Sequence, residues 1–335
     1  MTTPNTTALS LSQIETLARD TLLANGCNTA NADAIARTVM TAERDGSTSH
    51  GLFRMPGYIA GLRSGKVSGI AEPAITHLSP ASLAVDGQMG YAPYTLEKGL
   101  PLLVEAAQKM GIGVMKLTNS FHFAALWPET ETLSEAGLVG IACTAFKPTI
   151  APAGSKTALL GTNPLSFSWP RPGKAPLVFD MATARLAKGD VQIAARDGHE
   201  LPDGTGLGPD GEPTNDPNKV LQGVQLPFGG YKGSAIALMV ELLAAGMTGD
   251  QFSYEAAEND NNDGAPPKGG ELVIALNPTI LGGDDWQAHC DGFFERLEAL
   301  DGVRLPGARR HQNRQDTGMR NINAELVEKI QGLKG

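Results

Sequence analysis

From about residue 75 onward the hydrophobic period of this chain switches repeatedly between that of a strand and that of a helix. That alternation limits the fold more than any other feature. Ser82–Asp86 reads as a strand, Pro93–Lys109 as a helix, Ile112–Thr118 as a strand and Thr130–Ala136 as a helix. Leu138–Thr144 is a mostly apolar strand, and Leu165–Trp169 and Leu177–Phe179 are shorter ones. Such an order belongs to an α/β layer structure. Further on, Ala187–Arg196 reads as a helix and the nearly all-apolar Ser234–Ala245 as a buried one. Glu271–Leu276 reads as a strand and Trp286–Leu300 as an amphipathic helix. Asp197–Gly230, packed with Gly, Pro and Asp, is expected to be a long loop, and the acidic Glu258–Gly270 a flexible surface loop.

The first 65 residues are helical in pattern instead. Ser12 and Glu15 make a capping box ahead of Leu17, Ala18 and Leu22, and Asn25-Gly26 stops the run. A second helix carries Ala32, Ile35, Ala36, Val39 and Met40 and ends at Asp45-Gly46. A third carries Leu52, Met55, Ile59 and Leu62; Pro56 either starts it or kinks it, and Gly65 caps it. The expected division is a helical N-terminal region over residues 1–75 and an α/β region over 76–321, with a C-terminal helix over 322–333 that can pack with the first.

A chain of 335 residues with 41% hydrophobic content can bury a large core. A net charge of −9 argues against a general nucleic-acid or anionic-membrane binder. Cys27, Cys143 and Cys290 are far apart, as expected of a reducing, cytoplasmic setting. Met1–Ser10 is Thr-rich, without the basic and apolar segments of a signal peptide, and no apolar run is long enough for a membrane span. The histidines show no paired spacing, so no metal site is expected.

Chemistry is suggested first by Ser49-His50-Gly51 with Arg54. Ser49 reads as an N-cap that leaves His50 beside a helix N-terminus, where the neutral imidazole is favoured, with Arg54 on the same face. A proton-transferring imidazole beside a guanidinium suits a small carboxylate; the alternative is a cap, a surface histidine and a solvated arginine. Asn119–Phe123 leaves a strand end, a usual place for ligand contacts. Gly161-Thr162-Asn163-Pro164 is a turn by its chemistry. Asp180, Lys188, Asp190 and Arg196 bracket a helix, and Arg304, Arg309, Arg310, His311 and Arg314 form a basic cluster, fit either for a phosphate or for pairing with the acidic body. The literal G-x-G-x-x-G at Gly206, Gly208 and Gly211 contains Pro209 and lacks a strand before it and a helix after it, and Gly111-Ile112-Gly113 has Lys116 in place of the third glycine. Neither is a Rossmann fingerprint. A Ser49-His50 hydrolase is disfavoured, since adjacent helical residues point about 100° apart and no G-x-S-x-G elbow is present.

Taken in order, Ser49-His50-Gly51, Arg54-x-Pro56-x-Tyr58, Asn119 with His122-Phe123, Gly161–Pro164, Asp180-x-Ala182 and Lys232-Gly233 resemble the malate/L-lactate (L-sulfolactate) dehydrogenase-like family across nearly the whole chain. The resemblance implies a non-Rossmann dinucleotide-binding α/β fold of the L-sulfolactate dehydrogenase-like type with a helical N-terminal part, a homodimer, and NAD(P)H oxidoreductase activity. Within the family, His122–Trp127 and Lys188–Gln192 look most like the reductases of delta-1-piperideine-2-carboxylate and delta-1-pyrroline-2-carboxylate. The match implies His50 as proton donor with Ser49 and Asp190 as its relay partners, and Arg54 and Thr162 on the substrate. It implies an NADP site, reduced form NADPH, from His122, Phe123, Ala124, Ala125, Leu126, Asp180, Met181, Ala182, Tyr231, Lys232, Gly307, Ala308, Arg309, Arg310, His311, Gln312 and Asn313, with Arg44 a further candidate for the 2′-phosphate. Tyr231 departs from the pattern, since many members have His there. The other reading within the family is a 2-keto acid dehydrogenase of the malate or lactate type.

Overall fold

The computed structural model describes residues 5–335, so the first four residues of the Thr-rich stretch lie outside it. The chain begins with strand β1 (Thr6–Leu9) and helices α1 (Leu11–Ala24), α2 (Thr29–Arg44) and α3 (Met55–Arg63). Two 3-10 turns, Thr48–His50 and Leu52–Arg54, join α2 to α3. The capping box of α1 is Ser10 with Gln13, not Ser12 with Glu15. Ser10 is extended, so Leu11 opens the helix and Ile14, Ala18 and Leu22 fall on its buried face. Pro56 lies in the first turn of α3, where its missing N–H is no loss, so it starts the helix.

Next come β2 (Ala74–Ser79), β3 (Ser82–Tyr91), α4 (Ala92–Met110), β4 (Ile112–Phe121), α5 (Trp127–Glu135), β5 (Val139–Thr144), β6 (Leu165–Trp169), β7 (Leu177–Met181) and α6 (Lys188–Asp197). The segment after α6 is not one long loop. It folds into a small sheet of β8 (Gly206–Leu207), β9 (Pro213–Thr214) and β10 (Val224–Gln225), with α7 (Pro217–Gln222) inserted, and this pairs its backbone groups. Helix α8 (Tyr231–Glu241) runs into a π turn at Leu242–Gly246, followed by α9 (Ser253–Glu258) and β11 (Lys268–Leu276). Then α10 (Pro278–Gly282), α11 (Trp286–Glu298), α12 (Ala308–Gln315), β12 (Arg320–Asn323) and α13 (Ala324–Gly332) complete the described chain.

The main sheet has seven strands in the order β2-β3-β4-β11-β5-β6-β7. Only β3 and β4 are parallel, the pair joined by the crossover helix α4; every other neighbour is antiparallel. The fold is thus mixed α/β without a doubly wound Rossmann sheet. Leu83, Val85, Met115, Leu117, Ala142 and Val273 form one core with Leu100 and Leu103 of α4. A second joins Ile14, Leu22, Ile35, Val39, Leu52 and Tyr58 to Ile322, Val327 and Ile330, so α13 packs on the first helices. Each large apolar side chain buried there contributes about 1.5–3 kcal/mol by leaving water. Strand β1 pairs antiparallel with β12 at the rim of the same core.

Two expectations about exposure are corrected. Helix α8 is only half buried: Leu238 and Met239 on it, Leu242 on its π turn and Met247 just past that turn face outward. The acidic 258–270 stretch is not a free loop. Asp260 pairs with Lys66 and Lys147 at 3.2 and 2.6 Å, and Asp263 with Lys66 at 2.8 Å, which ties Gly264 and Ala265 against the central cavity. No described helix is long and apolar enough to cross a membrane.

Candidate active site

Ser49 does not cap a helix. It lies buried in the first 3-10 turn, and its Oγ is 3.2 Å from His50 Nδ1, with Ser47 Oγ at 3.5 Å. His50 Nδ1 is thereby held by two hydroxyls, and Nε2 makes no hydrogen bond among the described residues. Burial pushes the His50 imidazole down to about 3, with Arg54 and His122 adding to the effect. The ring is neutral because it is desolvated, not because of a helix dipole. Behind the turns, Glu43 Oε1 accepts the Leu52 N–H at 2.8 Å, and Gly51 sits so close that a Cβ would run into the carboxylate. Burial lifts Glu43 to about 7.

Arg54 lies 4.5 Å from the Phe123 ring centroid and 5.6 Å from that of Phe53, a cation–π sandwich that fixes its plane. Its Nε is buried without a partner. Gly189, in the first turn of α6, allows that helix to approach both Arg54 and Ser49; a Cβ would lie 2.6 Å from the guanidinium Nη2. Burial lowers Arg54 to about 10, opposed by Tyr58 and by Asp190. Asp190 lines the same cavity as His50, yet no hydrogen bond joins them among the described residues; Ser49 and Ser47 are the groups that hold the imidazole. The charge of Asp190 is felt by Arg54 instead.

One cavity of ≈ 570 Å³ gathers most of the expected residues: Ser49, His50, Arg54, Thr162 and Asp190, the stretch His122–Leu126, then Asp180, Ala182, Arg309 and Arg310. That volume suits a small-molecule and cofactor site. Thr162 is placed by its turn. Its carbonyl accepts from Thr183 N at 2.8 Å, while Asn163, at φ +35°, is buried with its amide donating to Ala237 O and Glu241. Asp180 accepts from Leu126 N and Trp127 N at 2.8 and 3.1 Å and so caps α5; burial raises it to about 6 despite those donors.

The remaining candidates lie outside this cavity. Strand alternation turns Met181 outward between Asp180 and Ala182. Tyr231, 73% exposed, and Lys232 stand on the first turn of α8, away from it. Ala308, His311 and Gln312 border a separate hollow, where the His311 Nε2 atom is 2.9 Å from Pro176 O. Gly307, at φ +90°, backs onto Val178. Asn313 donates to Asp45 O at 3.0 Å, and Arg44 pairs with Asp45 at 2.8 Å, which leaves neither pointing at a ligand. Arg314 completes that knot, paired with buried Asp45 and Glu131 at 2.5 Å each. So the basic cluster divides: Arg314 braces the acidic body, and Arg309 and Arg310 reach the cavity.

Sequence reasoning missed Lys147 as a cavity residue and gave Lys188 no role, although both line the site. Burial lowers the Lys188 amine, helped by Lys147 and Arg54, so three cations share one end of the cavity. Lys147 follows the end of β5, the same signal that marked Asn119–Phe123 after β4. Also missed were Glu129 and Glu271, 3.3 and 3.6 Å from His122 Nε2. Burial alone would lower His122, but Glu271 and Glu129 outweigh it and raise the imidazole to about 9. Among the described residues these three form a group whose ligand atoms lie within 4.8 Å of one another, a set that could hold a metal ion and that spacing rules for histidine pairs do not find. A neutral imidazole, a charged one and a surplus of cations can bind an anion and move a proton beside it.

Comparison with known proteins agrees with this geometry. A family model described as malate/L-lactate dehydrogenase matches residues 9–331. A delta(1)-pyrroline-2-carboxylate reductase of Ancylobacter novellus is 44% identical over 330 residues, 97% of each chain. A delta(1)-pyrroline-2-carboxylate/delta(1)-piperideine-2-carboxylate reductase of Pseudomonas putida is 40% identical over 338 residues, covering 100% of this chain and 99% of that one. The crystal structure of delta1-piperideine-2-carboxylate reductase from Pseudomonas syringae superposes with a TM-score of 0.92 at 39% identity, over 98% of this chain and 99% of that one. Sulfolactate dehydrogenase from Methanocaldococcus jannaschii does so at 0.87 and 29%, over 98% and 96%. A mostly antiparallel sheet, a cavity without a glycine fingerprint and matches over nearly full length have one explanation: the chain belongs to the malate/L-lactate dehydrogenase family.

Proposed function

We propose that this protein reduces delta-1-pyrroline-2-carboxylate and delta-1-piperideine-2-carboxylate to L-proline and L-pipecolate with NADPH. The observation that carries the reading is half-buried His50, its Nε2 without a hydrogen bond among the described residues, sharing one cavity with Arg54 in a chain 40–44% identical to enzymes named for these substrates. The nicotinamide, when bound, supplies the hydride. Arg54 pairs with the substrate carboxylate as a charge-assisted, oriented contact, with Thr162 beside it. An anion on Arg54 also removes part of the repulsion that keeps His50 neutral, so His50 gains proton affinity as substrate arrives. Ser49 holds Nδ1 and aims Nε2 at the ring nitrogen, which takes the proton; Asp190 acts through the charge of Arg54.

Arg309 and Arg310 supply the preference for NADPH. Arg310 is fixed over Trp127 at 5.1 Å and on Val178 O at 2.7 Å; Arg309 is exposed and makes no side-chain hydrogen bond among the described residues, so it is the better partner for the extra phosphate. Exposed Leu238, Met239, Leu242 and Met247 support a homodimer through α8, and we place the protein in the cytoplasm. The test is NADPH oxidation with each cyclic imine, with pyruvate and oxaloacetate in parallel. Turnover of the imines with R309A impaired for NADPH but not NADH is expected. Turnover of the keto acids alone would favour a 2-keto acid reductase, the reading that the family description and a 37% identical (2R)-3-sulfolactate dehydrogenase of Chromohalobacter salexigens support.

A further inference from the structure

The His122 imidazole is built into the cavity wall in a way that ligand contact alone does not explain. It follows β4, and Nε2 faces Glu129 of α5 and Glu271 of β11 at 3.3 and 3.6 Å, while Nδ1 makes no hydrogen bond among the described residues. Glu271 reaches this position through a register shift between Gly269 and Glu271 where β11 pairs with β4. Both carboxylates are buried, 3% and 2% exposed, and Glu129 Oε2 and both Glu271 oxygens lack a hydrogen-bond partner. The charge of Asp180 of β7 also favours a protonated ring and is itself opposed by Arg310 of α12; the other titratable neighbours are His50 beside the ring, Tyr58 near Glu129 and Cys143 near Glu271. Two buried carboxylates set against one imidazole are unfavourable unless at least one proton is kept among them.

The reduction consumes one proton per turnover, and burial beside Arg54 disfavours the second proton on the His50 imidazole that it would have to give. We propose that His122, Glu129 and Glu271 form the proton store of this site, His122 being a second acid that recharges His50 across the shared cavity. The hydride adds to the imine carbon with its electron pair. The C=N π pair becomes the nitrogen lone pair, which forms an N–H bond as the N–H bond of the His50 imidazolium breaks. His50 has that proton from His122, taken as the substrate carboxylate settles on Arg54, and the triad is refilled from solvent through the cavity mouth. The destination of the proton rests on the reductase reading; its storage does not.

Two measurements on the full chain test this separately. First, NMR titration of ¹³C-histidine-labelled protein without substrate, with H122N to assign the resonance, should show the ring charged well above neutral pH. In E271Q and in E129Q, which keep the shape of the side chain, its midpoint should fall by about one pH unit or more. Second, the alkaline fall of single-turnover hydride transfer should move to lower pH in E271Q, with the KM for NADPH within about twofold of the parent. An ordinary His122 midpoint in the parent, or an unmoved alkaline limb in folded E271Q and E129Q, overturns the proposal. So does stoichiometric Zn²⁺ binding that H122N abolishes, which would make the triad a metal site. The expected titration without imine or keto-acid turnover would instead refute the reductase reading and leave the store standing.

Discussion

Gly51→Ala is the sharpest probe of how the site is held. A Cβ at Gly51 would lie 2.7 Å from Glu43 Cγ and 2.5 Å from Cδ, far inside contact distance. Glu43 has nowhere to go: it is buried and its Oε1 is fixed by Leu52 N at 2.8 Å. Overpacking costs about 1–3 kcal/mol, and a buried carboxylate that loses its donor about 1–3 more. Together they predict a loss of about 2–6 kcal/mol, or roughly 3–9 °C in the melting temperature of a chain this size. The two turns carry His50 and Arg54, and a displacement on the order of 1 Å there is worth about a hundredfold in kcat/KM. Thermal unfolding of G51A, E43D and the double variant makes the test specific, because Asp is shorter by one methylene and opens the space. In the E43D background the alanine should cost under about 1 kcal/mol, a coupling of at least about 1 kcal/mol. A G51A protein melting within about 2 °C of the parent, or strict additivity of the two changes, would refute the steric argument.

Further consequences concern charge. Burial raises Glu43 from 4.5 to about 7, so the native state holds that proton more tightly than the unfolded chain; its stabilisation is complete below about pH 4.5 and is lost as pH rises through about 7. E43Q should flatten that decline by about 3 kcal/mol in urea unfolding between pH 5 and pH 8, and an unchanged slope would exclude Glu43 as its source. D45N takes the carboxylate from Arg44 and one of two from Arg314, which keeps Glu131; because those arginines are partly exposed, a loss of about 2–3 kcal/mol is expected, measured by chemical denaturation. Arg54→Lys keeps the charge but not the planar fork or the stacking on Phe123, and should lower kcat/KM for the imine by roughly 30- to 100-fold, mostly in KM. A change in kcat alone would place Arg54 elsewhere in the reaction.

The elements of the sheet were legible because strands and helices differ in period, and Leu165–Trp169 matches β6 at both ends. Their order was not, since β11 enters between β4 and β5 from far along the chain and nothing local encodes that pairing. Ser49, His50, Arg54, Thr162 and Asp190 were found through motifs that survive as short runs, and all five line one cavity. Glu129 and Glu271 could not be found this way: they lie on α5 and β11, and only the sheet brings them to His122. The mistaken reading of Asp260 and Asp263 has a similar cause. Acidic, Gly-rich sequence resembles a solvated loop until Lys66 and Lys147 arrive from other elements to neutralise it. The exposed face of α8 was misjudged because apolar content does not say whether a helix is covered by its own chain.

The knot at Asp45 has a bearing on how the molecule comes into being. Asn313 meets the carbonyl of Asp45 across 268 positions of sequence, and Arg314 its carboxylate across 269. During translation the turns bearing His50 and Arg54 therefore emerge long before α12 exists to close the far wall with Arg309 and Arg310. A nascent chain can fold its first helices early, but its central cavity is walled on all sides only once α12 has emerged, at the slow, long-range end of the folding process. A ribosome that stalls late leaves a chain that carries His50 and Arg54 and still lacks the wall from which Arg309 and Arg310 reach the same cavity.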